Sequence, residues 1–66
     1  MKYYPVILCY TSLKTTDHYE IFRGIEGKSP FIQAQERLNE ILPVKDWVIA
    51  KIKNKLEIQI VKEKNI

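Results

Sequence analysis

Residues 29–43, with the sequence SPFIQAQERLNEILP, decide the fold because they contain one helix with a clear start and a clear end. Ser29 is a good N-cap, since its hydroxyl can accept a hydrogen bond from an unpaired N–H of the first turn, and Pro30 fits the first helical position. Pro43 disfavours a helical conformation at Leu42 and so ends the helix there. The apolar side chains between these ends recur every three or four positions as one stripe, which consists of Phe31, Ala34, Leu38, Ile41 and Leu42.

The residues before this helix are predicted to form two antiparallel strands. Residues 3–10 are rich in aromatic and β-branched side chains, which are typical of a strand. Pro5 has no N–H to donate to a neighbouring strand, so the beginning of this run is expected at a sheet edge or outside the pairing. Residues 18–25 alternate along the chain and form the second predicted strand. The short polar stretch between them, residues 12–16, suits a hairpin loop.

The residues after the helix are predicted to form a second hairpin. Its strands are residues 46–53 and 55–62, and Asn54 suits the turn because it tolerates the positive φ of tight hairpins. Residues 56–60 alternate strictly between apolar and polar side chains, as a strand with one buried and one solvated face does. In the partner strand, the side chains predicted to face the helix are Val48, Ala50 and Ile52.

The predicted fold class is α+β with the order ββαββ, a four-stranded, mostly antiparallel sheet with one helix packed on one face. Residues 1–66 are expected to make one small domain, because so short a chain has no room for a second core. The order of the strands within the sheet stays open at this point. A domain of this size buries only ~60% of the surface that its unfolded chain exposes, so its stability margin is small.

The sheet face away from the helix is the strongest candidate for a functional site. One helix covers only one face, and several large apolar side chains are predicted on the other, where they indicate a contact surface for another protein or a second copy. Two alternatives remain: the faces are assigned the wrong way round, or a twisted sheet folds over this face itself. The predicted interaction residues are Trp47, Ile49, Val61 and Phe22, with Tyr3 or Cys9 as further candidates.

A second hypothesis is weakly sequence-specific binding of nucleic acid by the lysine-rich second hairpin. The formal net charge of +3 permits an anionic partner without requiring one. A basic hairpin with an exposed aromatic side chain binds single strands by charge and stacking. The alternative is that these lysines keep an edge strand from pairing with other molecules. The predicted nucleic-acid-binding residues are Lys51, Lys53 and Lys55.

Two further patterns resemble a catalytic pair and a phosphate-binding loop, but each is incomplete. Cys9 and His18 would form a nucleophile and base if the first hairpin joined them, but a thiol in an apolar run is usually buried and unreactive. Residues 24–29, with the sequence GIEGKS, lie between a strand and a helix as a phosphate-binding loop does. The first glycine of that motif would fall on Phe22, so a plain turn is the simpler interpretation. We therefore expect no catalytic residue and no enzyme.

The composition is that of a folded protein without a metal or other cofactor. With 45% hydrophobic and 29% charged residues, the chain is too apolar to be disordered. Cys9 is the only cysteine and His18 the only histidine, too few for a disulfide or a typical zinc site. The apolar run at residues 3–10 is short for a secretion signal and far too short to span a membrane. We expect a cytoplasmic protein with a reduced thiol and no membrane partner.

Overall fold

The chain forms a four-stranded antiparallel sheet with one helix on one side. The computed structural model describes residues 3–64, and the elements follow one another in the order ββαββ. The strands are β1 (Val6–Thr11), β2 (Asp17–Phe22), β3 (Asp46–Ile52) and β4 (Ile58–Lys64), and the helix α1 spans Pro30–Ile41. The predicted fold class is therefore confirmed. The backbone is a flat slab of 37 × 27 × 15 Å, as expected for one sheet and one helix.

The strand order β2-β1-β3-β4 brings the first strands of the two hairpins together at the centre of the sheet. All three pairs of neighbouring strands are antiparallel, so the crossover through the helix does not create a parallel pair. β2 and β4 are the edge strands. All seven residues of β4 are exposed, and the strand is held by its pairing with β3.

The helix begins and ends where the sequence predicts. The hydroxyl of Ser29 accepts the backbone N–H of Ile32 at 3.3 Å, and Pro30 occupies the first helical turn. At the other end, the N–H of Leu42 donates to the carbonyl of Leu38 at 3.0 Å. The helix is therefore capped at both ends, and its 12 residues pack mainly over β1 and β2.

The core lies between this helix and the central strands. Its buried side chains come from α1, β1 and β3, and they are Val6, Leu8, Ala34, Leu38, Trp47 and Ile49. A surface ion pair adds to this packing, since the Nε of Arg37 lies 3.1 and 3.0 Å from the two carboxylate oxygens of Glu20 on β2. The hydrogen bond to Glu20, followed by the charge of that carboxylate, raises the pKa of Arg37. The guanidinium thus stays charged and ties α1 to β2.

The structure reverses the predicted assignment of the two faces of β3. The prediction that Trp47 and Ile49 lie on the uncovered face is wrong, because both lie beneath the helix with 9% and 0% of their surface exposed. The placement of Phe22 is wrong as well, since it pairs with Val6 and packs against the same core. β3 is apolar on both faces, so its alternation does not say which face the helix covers. The residues that instead face away from the helix are Val48, Ala50 and Ile52.

A β-bulge interrupts the alternation of β4. Ile49 pairs with Lys62 and the adjacent Ala50 pairs with Ile60, so the intervening Val61 has no partner in β3. Val61 is 44% exposed. The prediction that Val61 shares a face with Trp47 and Ile49 assumes strict alternation, and that assumption fails at this residue. The bulge also shifts by one residue which side chains of β4 point to each face on its two sides.

The turn between β3 and β4 is wider than the sequence predicts. It covers residues 53–57, and the N–H of Lys53 donates to the carbonyl of Glu57 at 3.0 Å. The side-chain oxygen of Asn54 accepts the N–H of Leu56 at 2.8 Å, which stabilises the turn from within. Leu56 is consequently 98% exposed in the turn instead of belonging to the buried face of a strand.

Candidate interaction surface

The sheet face away from the helix carries a continuous set of apolar side chains, called here the open face. Side chains alternate between faces along a strand, and residues paired across two strands share a face. Because Leu8 and Ile49 face the helix, their neighbours in sequence face away from it. The apolar residues of the open face are Ile7, Cys9, Tyr19, Ile21, Val48, Ala50, Ile52, Ile58 and Ile60.

One apolar row of the open face crosses all four strands. Ile21 pairs with Ile7, Ile7 with Ala50, and Ala50 with Ile60. The two outer members of the row, Ile21 and Ile60, are 47% and 56% exposed. Ala50 is only 4% exposed although no helix covers it, because the longer side chains around it shield its methyl group. The row therefore has a shallow depression at Ala50, between two isoleucines.

The open face is large for a chain of this size. Four strands spaced ~4.8 Å apart make it roughly 19 Å wide, and its three apolar rows extend over roughly 20 Å. The footprint is thus about 400 Å², within the range of the largest apolar patches on monomeric proteins, which are often functional. Tyr19 and Ile58, at opposite edges of the sheet, are 70% and 60% exposed. The apolar surface therefore reaches both edges.

Carboxylates lie at one end of the open face. There Thr11 pairs with Asp17 on one side and with Asp46 on the other, while Glu63 pairs with Val48. The hydroxyl of Thr11 donates to the carboxylate of Asp17 at 2.9 Å. A groove of about 630 Å³ lies at this end, and its lining comes mainly from the open face, with Tyr10 and His18 of the helix side also contributing. Its walls thus combine apolar and acidic side chains.

The three lysines predicted to bind nucleic acid do not form a single patch. The ammonium group of Lys51 lies over the ring of Tyr4, 6.0 Å from its centre. That of Lys53 lies 3.9 Å from the carboxylate of Glu57, which offsets its charge. Lys55 is exposed in the turn. Each of the three lysines thus has different surroundings, and together they do not make one binding surface.

A different group of lysines lies together on the helix side of β3 and β4. Lys62 pairs with Ile49 and Lys64 with Trp47, so both share the face of those core residues. Lys51, two residues after Ile49 in β3, lies on the same face. Lys62 and Lys64 are exposed because the helix packs over β1 and β2 and leaves β4 uncovered. The basic strip, defined as Lys51, Lys62 and Lys64, is thus on the opposite side of the sheet from the open face.

Cys9 and His18 lie on opposite faces of the sheet, so the hypothetical nucleophile–base pair does not form. Cys9 pairs with Tyr19 on the open face. His18 pairs with Tyr10 on the helix side, and the two rings stack with their centres 5.0 Å apart. Burial raises the pKa of the Cys9 thiol, which reduces the fraction of reactive thiolate at neutral pH.

The glycine-containing segment before the helix is a turn in which several donors are used within the chain. Ile25 and Lys28 exchange two backbone hydrogen bonds of 3.0 Å. The N–H of Gly24 donates to the side chain of Gln33 at 2.8 Å. The ammonium of Lys28 lies 2.7 Å from the carboxylate of Glu36. These groups are therefore not arranged to hold a phosphate.

The predicted interaction residues omit most of the open face, including Ile7, Ile21 and Ile60. A signal for the correct assignment is nevertheless present in Trp47. Its side chain has the largest apolar surface in β3, so burying it in the layer between sheet and helix gives the larger stabilisation. Once Trp47 is assigned to the covered face, alternation assigns Val48 and Ala50 to the open one.

No protein-family model, curated protein or solved structure matches this chain. Within residues 3–64, no three His, Cys, Asp or Glu side chains are grouped so that they could hold a metal ion. The same part of the chain contains no helix with the length and hydrophobicity needed to cross a membrane. A functional proposal therefore depends on the two surfaces described above, the open face and the basic strip.

Proposed function

We propose that this protein is a non-enzymatic protein-interaction module, a small regulator or inhibitor, that acts through its open face. The observation that carries the proposal is the apolar row Ile21–Ile7–Ala50–Ile60, which runs from one edge of the sheet to the other. The helix found within residues 3–64 packs on the other side of the sheet and does not cover this row. Covering the row would remove apolar surface from water, which is the main driving force of protein association.

The small size of the core supports the same proposal. The core cluster contains only six buried residues, with five partly buried apolar side chains packed against it. Binding at the open face would thus supply burial that the chain cannot achieve with one helix. We place the module in the cytoplasm as part of the proposal, in keeping with the single free thiol, Cys9.

Site-specific photo-crosslinking in the source cells tests this proposal. A photoreactive amino acid in place of Ile60 should form covalent adducts with whatever covers the open face. The matched control is Ile25, which is 60% exposed against 56% for Ile60 but lies in the turn before the helix, outside the four strands. We expect adducts at residue 60 and few at residue 25. Equal adduct yields at both positions, or none at residue 60, would contradict the proposal.

A second candidate function is binding of single-stranded nucleic acid by the basic strip. The strip places three lysines on one face of β3 and β4, with Lys62 and Lys64 exposed and Lys51 half-buried, and Tyr4, which is 53% exposed, lies beside Lys51 as a ring on which a base can stack. This arrangement favours Lys62 and Lys64 over Lys53 and Lys55 as the binding residues.

Binding of a labelled oligonucleotide at several salt concentrations tests the second candidate. Replacing Lys62 and Lys64 by glutamine should weaken binding and reduce the slope of log affinity against log salt by roughly 0.7 for each lysine. Lys14→Gln, at an exposed position in the first hairpin loop, is the control and should change neither quantity. Absence of binding at low salt would eliminate this candidate without affecting the open-face proposal.

A further inference from the structure

We infer that the occupant of the open face is a second copy of this chain, packed face to face in a two-fold symmetric dimer. The inference rests on the proposed function, because it uses the same surface and specifies its partner. In a two-fold interface both copies use the same patch. The charges and the apolar side chains of that patch must therefore fit the same patch of the second copy. The positions of Asp17 and Asp46, the length of β3 and the size of the open face are consistent with such a dimer.

Association through the exposed edge of β4 is disfavoured by the residues of that strand. Lys62 and Lys64 lie along it, and lysines on an edge strand oppose pairing with another sheet. The bulge at Val61 changes the phase of β4, with Ile60 on the open face and Lys62 on the helix side. Two antiparallel copies of β4 would therefore not keep their apolar residues on one side along the whole strand.

The charges favour one of the two ways in which the faces can be joined. With the strands of the two copies parallel, the acidic ends of the two open faces would lie together, which brings carboxylates close to carboxylates. With the strands antiparallel about the row of Ala50, Asp17 and Asp46 lie opposite the other end of the second open face, whereas Glu63, only one row from the axis, lies opposite Ile58. Beyond that end are two exposed cations, Arg23 after β2 and Lys55 in the turn after β3. Opposite charges then approach each other twice, once at each end of the dimer.

The length of β3 fits the antiparallel arrangement. A two-fold axis through the row of Ala50 lies four residues from Asp46, a distance of about 13 Å along the strand. Asn54, in the turn, is also four residues from Ala50, so this turn of one copy falls over the acidic end of the other. Leu56, which is 98% exposed in the turn, would then contact the groove of the second copy. The contact is made reciprocally, as two-fold symmetry requires.

The size of the open face fits a second sheet better than a single helix. A helix is about 10 Å in diameter and would cover only half of the roughly 19 Å width. Two open faces bury roughly 800 Å² as flat footprints, and the uneven side-chain surface and the two turns add to this area. The total approaches the ~1,000 Å² that a specific interface needs. We therefore expect a weak dimer that dissociates on dilution.

Sedimentation velocity of the purified chain, from about 1 µM to 1 mM, tests the inference. The sedimentation coefficient should rise from the value of a monomer to that of a dimer and no further. Ala50→Arg should abolish dimer formation, because the guanidinium would occupy the central depression and would be buried without a partner. Ile60→Lys, at a 56% exposed position, should have the same effect with less risk to folding. Ile25→Lys is the matched control and should dimerise like the unmodified chain.

The outcomes separate this inference from the proposal on which it rests. A chain that stays monomeric at about 1 mM overturns the dimer. The proposed function then still stands if photo-adducts at residue 60 contain a different protein, and it fails together with the dimer if no adduct forms. A dimer that survives both Ala50→Arg and Ile60→Lys, each folded by circular dichroism, overturns the inference because the copies then associate elsewhere.

Carbodiimide cross-linking of a mixture of isotope-labelled and unlabelled chains tests the orientation. This reagent joins a carboxylate to an ammonium group with loss of water, and mass spectrometry identifies the links between copies. We expect an amide bond between Asp46 of one copy and Lys55 of the other. Links between copies that join Asp46 to Lys14 or Lys45 and never to Lys55 would show parallel strands and overturn the antiparallel arrangement.

Discussion

The two faces of the sheet differ most clearly in two adjacent rows of residues. The row on the helix side is charged at both edges and apolar in the middle, and it reads Glu20–Leu8–Ile49–Lys62. The row on the open face is apolar throughout, and it reads Ile21–Ile7–Ala50–Ile60. Apolar content alone therefore does not distinguish a core from a binding surface.

The difference between these rows lies in where the apolar side chains stop. In the helix-side row they stop at Leu8 and Ile49 on the two central strands and the edge positions are charged, although Phe22 extends the core onto β2 in the next row. On the open face they continue to both edges, beyond the reach of any single helix. An apolar row of that width indicates a partner as wide as the sheet itself.

The largest test of this comparison is the same substitution on each face. Ile49→Ala should lower the free energy of unfolding by about 2–5 kcal/mol, because it leaves a cavity beneath the helix at a residue that is 0% exposed. Ile60→Ala, on the open face, should cost less than about 1 kcal/mol in the monomer. Urea unfolding at low micromolar concentration, where the chain is monomeric, measures both values.

A small domain can lose all of its stability when Ile49 is truncated, and Ile49→Val then keeps the measurement possible. Its expected cost is about 0.5–1.5 kcal/mol. Equal losses for Ile49→Ala and Ile60→Ala would mean that the two faces are equally buried in the monomer, and the distinction between core and open face would be lost.

The fold is predictable from this sequence because its signals are local. Ser29, Pro30 and Pro43 fix the ends of the helix through their own backbone chemistry, and the alternating runs on either side indicate strands. Which face of β3 the helix covers is not determined by such local signals. Trp47 and Val48 are both apolar, so the choice between them depends on packing against residues far away in sequence, and local alternation cannot make it. The bulge at Val61 likewise depends on its pairing with β3.

A smaller effect is expected from weakening the helix, which covers one face only. Ser29→Ala should lower the free energy of unfolding by about 1 kcal/mol, because the N–H of Ile32 loses its side-chain acceptor. Ser29→Asp should restore most of the loss, since a carboxylate accepts the same bond. Thermal or urea unfolding measures both variants. An unchanged free energy of unfolding for Ser29→Ala would show that the N-cap does not contribute to the stability of the helix.

The smallest effect is a change in reactivity without a change in stability. Cys9 on the open face should react slowly with iodoacetamide at pH 7, because burial raises its pKa above the usual 9.0 and so reduces the thiolate fraction at that pH. The rate should increase as the pH rises through and above 9. Unfolding in urea should accelerate the reaction at pH 7. Identical rates at pH 7 for the folded and unfolded chain would contradict the shielding of Cys9.

The central position of β1 and β3 also has a consequence for the way in which the chain folds. Their pairing joins residues from 35 positions apart (Thr11 and Asp46) to 45 positions apart (Val6 and Lys51), so a loop of at least about 35 residues must close before the middle of the sheet exists. The two hairpins are local and form without that closure. Joining them is therefore expected to be the slow step, and substitutions between β1 and β3 should reduce the folding rate more than substitutions in either turn. The edge strand β4, held by β3 alone, should exchange its amide hydrogens before the central pair does.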